Sequence, residues 1–186
     1  MSLPATPSAE QVIAATRAWV DKAVIGLNLC PFAKSVQIKG QIRYVASPAE
    51  TPEQLAEELA RELLLLRTAA PEEIDTTLLV HPGVLTDFYD YNDFLGLADA
   101  ILAELDLEGE LQIASFHPDY QFAGTAPDAI ENYTNRSPYP TLHLIREASL
   151  DKAVSAFPDA AGIFEKNMET MRRLGLAGWQ ALKLDK

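Results

Sequence analysis

Three apolar stretches each stop at a proline, and this repeated stop is what most constrains the fold of the chain. Ile42-Arg43-Tyr44-Val45-Ala46 runs into Ser47-Pro48. Thr76-Thr77-Leu78-Leu79-Val80 runs into His81-Pro82, and Leu111-Gln112-Ile113-Ala114-Ser115-Phe116 runs into His117-Pro118-Asp119. Proline lacks a backbone donor and holds the residue before it extended, so each stretch reads as a strand with a defined carboxyl end. Helical patterns lie between the stretches. Strands alternating with helices predict an α/β fold with right-handed crossovers and a mostly parallel sheet. In such a sheet Ser47, His81 and His117 share the carboxyl edge, where open α/β folds place their ligands.

The helices carry their own start and stop signals. Ser8, with Gln11 three residues on, is a capping box, and Val12, Ile13, Thr16, Trp19, Val20, Ala23, Val24 and Leu27 follow at helical spacing. Asn28-Leu29-Cys30-Pro31 ends that helix, and Val36 to Ala46 reads as extended. Thr51-Pro52-Glu53-Gln54 combines a cap, a proline at the first helical position and a glutamine three residues after the cap, ahead of Leu55, Leu59, Leu63 and Leu66. Thr86 or Asp87 caps a third helix that Gly109 stops. Thr141 to Ile145 is the fourth strand, reached through a long connection with a short helix beginning near Thr125. Helices near Leu150–Ala156 and Asp159–Leu174 complete a four-stranded sheet flanked by about six helices, with Trp179 and Leu182 docking the tail.

A chain of 186 residues, 48% hydrophobic and 23% charged, suits one domain with one core. Residues 1–186 are read as that domain, with 1–7 a flexible tail and 117–140 a long loop. The formal charge of -12 opposes phosphate backbones and anionic lipid surfaces, so neither nucleic acid nor membrane is an expected partner. One cysteine forms no internal disulfide, the N-terminus has no apolar run, and no stretch approaches the roughly 20 apolar residues of a membrane span. These features predict a cytoplasmic protein.

Three longer blocks carry a family likeness: Asn28-Leu29-Cys30-Pro31-Phe32-Ala33, Ser115-Phe116-His117-Pro118-Asp119-Tyr120-Gln121-Phe122, and Asn132-Tyr133-Thr134-Asn135-Arg136-Ser137-Pro138-Tyr139-Pro140. Together they resemble the domain-of-unknown-function 1415 family over most of the chain. The resemblance implies a small soluble protein of bacterial type and transfers no activity and no catalytic residue, so the chemistry is read from the residues themselves.

His117 and Asp119 are the first candidates for catalysis, because an imidazole exchanges protons near neutral pH and a carboxylate in the same turn can orient it. The structural alternative is a histidine bonded to backbone at a strand end, with Asp119 a turn residue. His81 lacks an adjacent carboxylate, and its turn position needs no chemistry. His143, inside an apolar strand, reads as a satisfied core residue. Cys30 is a weaker nucleophile candidate, since it follows a helix C-terminus whose partial charge disfavours the thiolate. Cys30, His81, His117 and Asp119 are acceptable zinc ligands but lack any metal-binding spacing, so neither a metal nor a cofactor is implied. Arg136, a guanidinium in a long loop of an acidic protein, is a candidate anchor for a carboxylate or phosphate, unless it forms a structural salt bridge or serves the loop carbonyls instead. His81, Tyr120 and Asn132 are further substrate-binding candidates. The readings left open are an acid–base enzyme acting on a small polar or anionic molecule, a binding module using the aromatic loop 117–140 through Tyr120, Phe122, Tyr133 and Tyr139, and a thiol enzyme based on Cys30. Aromatic rings packed inward favour a pocket, and rings in an outward patch favour an interface.

Overall fold

The capping signals form as the sequence places them. The Ser8 hydroxyl accepts the Gln11 amide at 3.2 Å, the Gln11 side chain accepts the Ser8 amide at 2.8 Å, and α1 (Ala9–Trp19) follows. The structure is a computed structural model, and it describes residues 7–157 and 162–184. A π-helical turn, Val20–Ile25, continues α1. After it come α2 (Ala33–Ile38), β1 (Ile42–Ala46) and α3 (Pro52–Thr68), the last capped by Thr51. Next are β2 (Thr76–Val80), α4 (Phe88–Glu104) capped by Asp87, β3 (Leu111–Phe116), a 3-10 helix at Ile130–Asn135, β4 (Thr141–Arg146), α5 (Glu147–Ala156) and α6 (Ile163–Ala181).

The sheet runs β1-β2-β4-β3. β1 and β2 pair in parallel, whereas β4 lies between β2 and β3 and is antiparallel to both. The class is α/β as expected, but the expectation of a mostly parallel sheet is wrong. A parallel neighbour needs a crossover to the far end of the sheet. The 117–140 segment instead returns the chain at the end where β3 finishes, so β4 must run back alongside it. β3 still points the same way as β1 and β2, since it is antiparallel to a strand that is antiparallel to β2. Val80 and Phe116 both pair with Thr141, so His81 and His117 stand one residue beyond, on the same edge, on either side of the entry to β4.

Alternation along the strands divides the core in two. Leu79, Leu142, Leu144 and Leu111 face α3 and α4, where Leu55, Leu59, Leu63 and Leu66 form a buried stripe. Leu78 and Val80 face the other way, toward Val12, Trp19, Val20 and Ala23, with Trp179 and Leu182 closing the layer. β2 is therefore buried on both faces, which explains its unbroken apolar pattern. Each fully buried leucine contributes about 1.5–3 kcal/mol relative to exposure. No helix among the described residues is long and apolar enough to cross a membrane.

Several boundaries differ from the expectation. Residues 36–38 belong to α2 and the strand begins only at Ile42. The short loop helix starts at Ile130, not Thr125, because the Thr125 hydroxyl bonds Phe122 O and Asn132 Oδ1 within the loop. The expected start of the last helix at Asp159 lies outside the described residues, as do positions 1–6 of the expected tail.

Gly175 departs from helical geometry at φ 64, ψ 176, yet helical turns resume beyond it as far as Ala181. That region is essentially open to glycine alone, and an alanine held there costs about 1–3 kcal/mol. The Gly175→Ala variant should therefore lower the urea midpoint or, if the segment frays to relieve the strain, shift Trp179 emission to the red. A variant matching wild type in both would show that this backbone geometry is not required.

Candidate functional site

Two groups of residues occupy the carboxyl edge, one on each side of the sheet. On the α3/α4 side lie the two histidines, both 0% exposed. They pack against Tyr91 of α4, His81 at 5.7 Å and nearly parallel, His117 at 5.1 Å and tilted. The loop between β2 and α4 supplies a carbonyl to each ring: His81 Nδ1 donates to Val84 O at 2.9 Å, and His117 Nε2 donates to Leu85 O at 3.2 Å. Leu85 sits at φ 55, an uncommon and costly conformation for a leucine, so the loop holds its carbonyls in place against backbone strain. Tyr91 Oη donates to Thr141 O at 2.8 Å and accepts the Phe116 amide at 3.2 Å, tying the start of β4 to the end of β3.

These contacts fix the tautomers, because a carbonyl only accepts. His81 carries its proton on Nδ1. Its Nε2 lone pair is buried without a hydrogen-bond partner among the described residues, and burial lowers its pKa from 6.5 to about 4. His117 carries its proton on Nε2, and its Nδ1 accepts the backbone amide of Asp119 at 3.0 Å. Asp119 thus reaches His117 through its main chain, the arrangement of a structural turn. His143 places Nε2 2.7 Å from the Thr76 hydroxyl, and burial lowers its pKa to about 4 as well. Ser47, at the end of β1, is buried; it donates to Glu58 of α3 and accepts the Ala49 amide at 3.1 Å.

On the other side a cleft of about 260 Å³ opens between the 117–140 loop, α1 and the end of α6. Its polar lining comes from Asp119, Arg136, Tyr133 and Ser137. Its apolar lining comes from Trp19, Trp179, Leu184, Pro118 and Pro138. The long loop is rigidified from within by Asn132, whose side chain accepts the Phe122 amide at 3.0 Å and donates to Ala126 O at 2.8 Å. Asn132 is fully buried and so organises the loop rather than facing a ligand.

Arg136 is held on three sides. Its Nε donates to Tyr120 O at 3.2 Å, its Nη2 to Pro127 O at 2.7 Å, and its guanidinium carbon lies 4.3 Å from the centre of the Tyr133 ring. Trp179 packs edge-on against the same ring at 5.3 Å. Arg136 pairs with no carboxylate among the described residues. Two of a guanidinium's five donors are engaged, which leaves three for another acceptor.

The sequence candidates therefore fall in three places. Asp119 and Arg136 meet at the cleft, His81 and His117 are buried beside Tyr91, and Cys30 lies apart from both, in the turn before α2. Burial pushes the Cys30 thiol up, while hydrogen bonds with the backbone of Phe32 and Ala33 act against this. Tyr120 packs between Phe88 at 5.3 Å and Phe122 at 5.0 Å, and its carbonyl rather than its ring serves Arg136. No cluster of three or more His, Cys, Asp or Glu that could hold a metal occurs among the described residues. Trp19 and Trp179 as cleft walls escaped the sequence reading, since 160 positions separate them and each already had a packing role.

Residues 11–181 match the family described as protein of unknown function (DUF1415), and the chain belongs to that family. No curated protein and no solved structure matches it.

Proposed function

We propose that this member of the DUF1415 family binds a small anionic molecule in the cleft beside β3, with Arg136 as its anchor. The observation that carries the reading is a guanidinium fixed by two carbonyls and a tyrosine ring, lining a cleft, with no carboxylate paired to it among the described residues. A side chain already immobilised loses little further entropy on meeting a ligand, so its remaining donors are organised for an acceptor. The loop rings support a pocket over a protein interface: Tyr120, Phe122 and Tyr133 are half-buried and Tyr139 is buried. The charge of -12 keeps nucleic acids and anionic membranes unfavourable as partners, and a single cysteine suits a reducing compartment such as the cytoplasm.

Acid–base chemistry by His117 fits this arrangement less well. Its ring is buried on the opposite side of the sheet, with both nitrogens on backbone partners, and it is not among the cleft-lining residues. Binding is therefore proposed here, and catalysis is not.

Calorimetric titration with 3-phenylpropionate and phenyl phosphate tests the proposal. Wild type should give saturable binding. Arg136→Lys, which keeps the charge and loses the fork, should weaken it by about tenfold or more, the worth of one charge-assisted hydrogen bond. Circular dichroism should show the fold retained. Equal affinity in the variant, or no binding of either anion to wild type, would overturn the anchor role.

A further inference from the structure

We infer that the ligand is a small zwitterion with an apolar body, an aromatic amino acid being the simplest example; this deepens the proposed anion site and rests on it. Asp119 and Arg136 line the same cleft, yet no ion pair joins them. Two opposite charges left apart in one cleft complement a molecule that carries both signs. A ligand bearing only negative charge would meet repulsion from Asp119, so a site selected for anions alone gains nothing from a carboxylate at its rim. Beside Tyr133 and Ser137 the remaining walls are Trp19, Trp179, Leu184, Pro118 and Pro138, a largely apolar surface that carries no further charge and covers an apolar side chain. The volume of about 260 Å³ is small beside the roughly 300–1,000 Å³ of drug-sized ligand pockets, which suits a single amino acid.

The two charges differ in strength of hold. Arg136 is half-buried and pinned, whereas Asp119 is exposed, so the ammonium contact is the weaker and more screened of the two. Losing it should cost about two- to fivefold in affinity, against tenfold or more for the carboxylate contact. Asp119→Asn keeps the backbone amide that His117 Nδ1 accepts, so the turn itself survives the substitution.

Four probes decide the matter by calorimetry: L-phenylalanine, 3-phenylpropionate without the ammonium, 2-phenylethylamine without the carboxylate, and glycine without the apolar body. L-phenylalanine should bind tightest, 3-phenylpropionate about two- to fivefold weaker, and the amine and glycine at least tenfold weaker. In Asp119→Asn the affinity for L-phenylalanine should fall to that for 3-phenylpropionate, whose own affinity should hold or rise. If 3-phenylpropionate binds wild type as well as L-phenylalanine does, the zwitterion is wrong and the anion site stands. If none of the four binds, both readings fall.

Discussion

At pH 5 the protein is expected to be about 2 kcal/mol less stable than at pH 7 on account of His81 alone. His81 donates from Nδ1 to Val84 O, so a second proton must go to Nε2, which is buried and has no acceptor among the described residues. The folded pKa of about 4 therefore lies below the 6.5 of the free side chain. Between those values the unfolded chain binds a proton that the native chain refuses, so stability is complete above pH 6.5 and is lost as pH falls toward 4. His143 is depressed in the same direction and adds to the slope. Most carboxylates titrate near pH 4, so the window from pH 5 to 6.5 isolates the histidines. Urea midpoints at pH 7, 6 and 5 should fall steeply in wild type and less steeply in His81→Gln. Identical slopes would show that His81 accepts its proton in the fold without penalty.

Tyr91→Phe should lower stability by about 2–4 kcal/mol, because deleting one hydroxyl strands two backbone groups, the buried Thr141 carbonyl and the part-buried Phe116 amide. For a chain of this length that is a drop of roughly 4–16 °C in Tm. Tyr89→Phe, on the same helix but 73% exposed, is the control and should stay near wild type. A Tyr91→Phe variant within half a kcal/mol of wild type, on the order of a surface substitution, would mean the two strands hold their register without it. The consequence extends beyond stability. The same hydroxyl fixes the end of β3, and Asp119 of the cleft follows three residues later, so ligand affinity should weaken along with the fold.

Much of this architecture was legible because local chemistry dictates it. Ser8 with Gln11, Thr51 with Pro52, and the pair Thr86 and Asp87 each announced a helix start, and in the third the cap falls to Asp87. The direction of β4 was not legible. Thr141 to Ile145 reads the same whether the strand runs up or down, and only the path of 24 intervening residues decides it. The helix α2 was also missed, since Ala33-Lys34-Ser35-Val36-Gln37-Ile38 has no side-chain cap and no buried residue to give it a period. At the site, sequence adjacency suggested that the Asp119 carboxylate orients His117, whereas the backbone amide makes the contact. Adjacent residues meet readily through the main chain, and one-dimensional spacing does not distinguish that from a side-chain pair. Arg136 was read as either anchor or loop brace, and its geometry serves the second role without exhausting the donors needed for the first.

The place of β4 between β2 and β3 also sets an order on assembly. β1 and β2 are separated by α3 alone and are both present once β2 is made, but β3 has one neighbour in the sheet, and that neighbour is the last of the four strands in the chain. A chain emerging N-terminus first therefore carries β3 with both of its edges open until β4 arrives. The long loop is the tether that brings β4 in, so the segment that walls the cleft also governs how long the inner edge of β3 stays exposed.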